Sequence, residues 1–72
     1  MNKGEILFEK LCKEQLYSDD SSKRDYAIEL MAAFDYMGED LYPLLEKAES
    51  ANKRIVVIYG DGIDQIKDIV IN

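Results

Sequence analysis

Ile55-Val56-Val57-Ile58-Tyr59, then Gly60-Asp61-Gly62, then Ile66-Lys67-Asp68-Ile69-Val70-Ile71 is the stretch that decides the fold. β-Branched and aromatic side chains predict two extended segments, and the glycines flanking Asp61 supply turn chemistry, so the pair reads as an antiparallel β-hairpin. Ile63, Ile66 and Ile69 also recur three apart, which makes a helical turn within Gly62 to Asp68 the competing reading. Successive strand residues alternate sides, placing Ile55, Val57 and Tyr59 on one face and Val56 and Ile58 on the other. Both faces are apolar. Three short helices can cover one of them, and an isolated two-stranded ribbon is not stable alone, so the other face calls for a second copy or a partner protein. We assign Ile55, Val57 and Tyr59 to self-association in a homodimer. The alternative is that helices wrap both faces.

Upstream of residue 53 the period is helical. Leu7, Phe8, Leu11, Cys12 and Leu16 share a face of a helix predicted from Lys3 to Tyr17, and Ser18-Asp19-Asp20-Ser21-Ser22 ends it. Those side chains can also cap the next helix, with Ser22 and Asp25 as a weakened capping box. The second helix runs to Met37 with Ala27, Leu30, Met31, Phe34 and Met37 inward, and Gly38 supplies the left-handed residue that closes it. Glu39-Asp40 opens a third carrying Leu41, Leu44, Leu45, Ala48 and Ala51, with Pro43 in its first turn and Asn52 at its end. The fold class is therefore α+β, three short helices and a C-terminal hairpin, and residues 1–72 read as one domain without repeat or linker.

Composition narrows the function. Fifteen acidic and nine basic residues give a net charge of −6, which repels nucleic acid and anionic membrane over most of the surface. The chain has no histidine and one cysteine, so no internal disulfide and no Cys/His zinc site can form. Cys12 falls on the apolar stripe of its helix, where burial disfavours the thiolate. Asp61, Asp64 and Asp68 match no EF-hand spacing and are accounted for by turn formation, and the Gly60–Gly62 turn lacks the lysine and helix of a phosphate loop. No catalytic residue, cofactor or metal is assigned, and the chain is read as a non-enzyme. The start, Met1-Asn2-Lys3-Gly4-Glu5, leads into charged amphipathic sequence and the longest apolar run is Ile55 to Tyr59, so no leader or membrane span is expected and residence is read as cytoplasmic.

Three functional readings remain, one of them a structural subunit or assembly factor whose task is to complete another protein's sheet. Asp35, Glu39, Asp40, Glu46 and Glu49 concentrate negative charge near Tyr36 and Tyr42. Such a surface suits a regulator or inhibitor that occludes a basic groove of a larger protein, with Tyr36, Glu39, Asp40, Tyr42 and Glu46 facing that partner. The plainer account is that these are solvated helix faces. Alternatively, three helices and a hairpin resemble a winged helix in order, though not in sequence, which implies a DNA-binding regulator. The third helix offers acids and only Lys47, and no arginine for guanine, so DNA contact would fall to Lys53, Arg54 and Lys67 at the hairpin.

Overall fold

The computed structural model describes residues 2–62 and 65–72. Helix α1 (Lys3–Gln15) starts at Asn2, whose side-chain oxygen accepts from the Glu5 amide at 2.8 Å. It stops two residues before the predicted end. Tyr17 is left exposed, and the Arg24 guanidinium braces the turn by donating to the Ser18 carbonyl at 2.6 Å. Helix α2 (Ser21–Met37) is capped by Asp20 and not by the predicted Ser22: the Asp20 carboxylate accepts from the Ser22 amide at 2.9 Å. Here Ser22 is already inside the helix, so its own amide is one of the donors a cap must satisfy.

Gly38 closes α2 with φ 61° and ψ −139°. The positive φ was foreseen, but this ψ lies outside the left-handed helical well, in a region that essentially only glycine tolerates. The chain turns there into a 3₁₀ turn (Gly38–Asp40) that feeds helix α3 (Leu41–Ser50). Asn52 ends α3 at φ 56°, with its amide donating to the Glu49 carbonyl and the Lys53 amide to the Ala48 carbonyl at 2.8 Å. This is a Schellman closure, with asparagine where glycine is commoner.

Strands β1 (Ile55–Tyr59) and β2 (Ile66–Ile71) form the hairpin, pairing Ile55 with Ile71, Val56 with Val70, Val57 with Ile69 and Ile58 with Asp68. The register then shifts so that Tyr59 faces Ile66, leaving Lys67 as the extra residue of a bulge. The competing helical turn is not formed at Ile66–Asp68, which are strand; Ile63 and Asp64 lie outside the described residues.

The helices cover one face of this ribbon. Leu30, Ala33, Leu41, Leu45 and Ala48 join Ile55 and Val57 in the core, with Ile66, Ile69 and Ile71 packed against it. Ile55 is 0% and Val57 6% exposed, so these two residues are not a self-association face; the chain's own helices take that side. The Tyr26 hydroxyl of α2 also accepts from the Ile55 amide at 3.0 Å, which ties the edge of β1 to that helix. Tyr59 shares that side by alternation but stays about half exposed near the hairpin tip. The opposite side presents half-buried Val56 and Val70 and exposed Ile58.

One ring from each helix holds the helical layer together. Phe8, Phe34 and Tyr42 meet with centroids 5.1, 5.6 and 6.0 Å apart, within the range for favourable aromatic pairs. Beside them Gly4 lets α1 approach the backbone of α3. A Cβ at Gly4 would lie 2.8 Å from the Tyr42 Cβ and collide with the Tyr42 carbonyl.

Two substitutions test this packing. Gly4→Ala improves helix propensity yet should destabilise the chain by about 1–3 kcal/mol through overpacking, read as a lower urea midpoint; a raised midpoint would refute the close approach. Tyr26→Phe keeps the ring and deletes the acceptor for the Ile55 amide. It should cost about 1–3 kcal/mol and speed amide exchange at Ile55 above that at Val56.

Candidate interaction surface

The C-terminal end of α2, the 3₁₀ turn and the first two turns of α1 come together around Tyr42. Tyr36 is 54% exposed, and Asp35, Glu39 and Asp40 beside it are exposed as well. Tyr42 is not on that surface. At 8% exposed it belongs to the core, because its ring completes the cluster with Phe8 and Phe34. This corrects its assignment as a partner-facing residue; truncating Tyr42 to alanine would open a cavity in the core. Glu46 is half-buried, one turn further along α3.

Two carboxylates of α1, Glu5 and Glu9, also act on Tyr42. Desolvation pushes the Tyr42 hydroxyl above its ordinary range, and the negative charges of Glu5, Glu39 and Glu9 push it the same way. Three carboxylates from two parts of the chain therefore act on one phenol. The signal available in sequence was Gly4, which brings the neighbouring Glu5 against α3.

Neither ion pairing nor capping occupies these acids. Among the described residues the one ion pair is Arg54 with Glu29, at 4.0 Å and solvent-exposed. Asp40 stands at the N-cap position of α3, yet its side chain makes no capping bond. Negative charge at this helix start is favoured by the dipole of α3, which suffices to explain Glu39 and Asp40.

The basic side is arranged differently. Gln15, Ser22, Lys23, Tyr26 and Arg54 line a shallow cleft of about 160 Å³, below the roughly 300–1,000 Å³ of most small-molecule sites. The Arg54 guanidinium lies over the Tyr26 ring, 4.4 Å from its centroid. Arg54 and Lys67 sit towards opposite ends of the hairpin, since Arg54 pairs with Asn72 and Lys67 is in the bulge near Tyr59. Cys12 is half-buried, and burial raises its thiol pKa. No group of three metal-ligating side chains occurs among the described residues, and Asp64 is not one of them. No described helix is long and apolar enough to cross a membrane.

No protein-family model matches this chain, and comparison with curated proteins and with solved structures returns no similar one.

The Tyr42 environment gives a signed pH dependence. Its pKa is raised in the folded chain, so folding retains a proton that the unfolded chain releases. The associated stability is fully present below the unfolded tyrosine pKa and is lost as pH rises through the folded one. Tyr26 is raised as well, chiefly by burial, and adds to the same alkaline loss. The urea midpoint should therefore fall above the ordinary tyrosine pKa of 10.0, and less steeply in Tyr42→Phe. Replacing Glu5, Glu9 and Glu39 by glutamine should lower the Tyr42 pKa followed by NMR at its Cζ; an unmoved titration would mean the carboxylates do not act on this ring.

Proposed function

We propose that the chain is a non-catalytic protein-interaction module, a regulator or inhibitor that lays its acidic face over a basic surface of a larger protein. The observation that carries this reading is the exposed run of Asp35, Glu39 and Asp40 with Tyr36 54% exposed among them, and the charges of Glu5, Glu39 and Glu9, which raise the Tyr42 pKa after desolvation, add to it. None of these carboxylates makes an ion pair among the described residues, which leaves them for a basic partner to neutralise. Complementary charge of this kind steers encounter and selects partners, while a rigid tyrosine supplies contact area at low entropic cost. The partner-facing set is thus Glu5, Glu9, Tyr36, Glu39 and Asp40, with Glu46 at its margin and Tyr42 as its buried support. DNA binding has no comparable support, since the hairpin cations are divided between its two ends.

The test compares immobilised wild-type chain with two variants, Tyr36→Ala and the combined Glu5→Gln, Glu9→Gln, Glu39→Gln, in capture from extract of the native cell. Both variants should keep the wild-type circular dichroism. Each should capture the partner at least about tenfold more weakly, equivalent to about 1.4 kcal/mol, and added salt should weaken wild-type capture. Capture indifferent to the glutamate replacements would overturn the assignment of this face.

A further inference from the structure

The outer edge of β2 is built to pair with itself. Arg54 and Asn72 exchange both backbone bonds, at 3.2 and 2.9 Å, which fixes the alternation along the ladder. Val56–Val70 and Ile58–Asp68 are then hydrogen-bonded pairs, while Ile55–Ile71 and Val57–Ile69 are not. The amides and carbonyls of these last four residues point out of the two edges.

The edges are treated unequally. On β1 the outward Ile55 amide is held by the Tyr26 hydroxyl, and α2 and α3 both pack against that strand. On β2 the outward Ile69 amide meets only the carboxylate of the preceding residue, Asp68, at 2.8 Å and exposed to solvent. An exposed charged side chain is a common guard on an open strand edge. It is also removable, because Asp68 can rotate away and regain water whereas Tyr26 is anchored in a helix.

Charge favours a second copy at this edge. Residues 53–72 carry Lys53, Arg54 and Lys67 against Asp61, Asp64 and Asp68, so the whole net charge of −6 resides on residues 1–52. Two chains meeting through β2 bring their neutral segments together and keep their acidic faces out of the contact. We propose that two copies join through β2 in antiparallel register about a two-fold axis at Ile69, forming a four-stranded sheet.

In that register Ile69 pairs with Ile69 of the second copy, Asp68 with Val70 and Lys67 with Ile71. Residues directly opposite point to the same face, so both helical layers lie on one side and the row Val57, Ile69, Ile69, Val57 runs unbroken across the sheet. The half-buried Ile69 and Ile71 gain cover that their own helices do not give. A ribbon of two strands becomes a sheet of four, the size at which sheets commonly become stable. The bulge at Lys67 bends the strand and stops the ladder there. This interface is separate from the acidic face and stands whether or not that face has a partner.

Sedimentation equilibrium of the full chain tests it, up to about 1 mM protein, where even weak pairing is read. Wild type should show a reversible monomer–dimer equilibrium, and Asp68→Ala, which unblocks the Ile69 amide, should dimerise at least about tenfold more tightly. Ile69→Pro should remain monomeric, because it removes an outward donor that the intrachain ladder does not use. Should that variant fail to fold, a mixed sample of labelled and unlabelled wild type decides, through a contact between the Asp68 and Val70 α-protons of different copies. A strict monomer in both wild type and Asp68→Ala overturns the proposal. So does a dimer whose inter-chain contacts fall on other residues, or a monomer whose β2 edge instead takes up a strand from another protein.

Discussion

Three aromatic rings hold this chain in shape. Phe8, Phe34 and Tyr42 come one from each helix and meet within about one ring diameter, so no helix can move without breaking a contact in the other two. Gly4 is the condition for that meeting, since any larger residue would hold α1 away from α3. The proposed acidic surface adjoins the same cluster: Tyr42 is drawn inward, while Asp35, Tyr36, Glu39 and Asp40 stay exposed.

The hairpin depends on this helical layer and returns less to it. Its inner side chains enter the core at Ile55 and Val57, and one tyrosine hydroxyl ties its first strand to α2. The second strand has no such anchor among the described residues. The two strands of one small ribbon thus differ in how completely they are finished, and that difference gives the molecule a direction in which to grow.

Much of this was legible in the sequence. The order of elements followed from periodicity, because Leu30, Leu41, Leu45 and Ala48 recur at helical spacing and residues 55–59 do not. The positive-φ stop at Gly38 was legible from its residue type, as was Asn52 as a terminator. What could not be read was the choice between two equivalent solutions. Ile55 and Val57 were no better candidates for burial than Val56 and Ile58, and the choice shows only in the distant core residues that cover them, Leu30, Ala33, Leu41, Leu45 and Ala48. Tyr42 misled for a similar reason: among acids it reads as a surface tyrosine, and only the rings of two other helices show that it is not. Gly4 fell inside the predicted first helix with no role of its own, because nothing local reveals that another backbone passes beside it.

The five tyrosines, in a chain without tryptophan, divide by location. Tyr26 and Tyr42 are largely enclosed, whereas Tyr17, Tyr36 and Tyr59 stand out at the helix turn, the acidic face and the hairpin tip. Each exposed phenol samples a different region of the exterior, and each can be iodinated or nitrated without touching the interior. The molecule therefore carries its own footprinting labels: the phenol that falls silent in a complex names the region that has been covered.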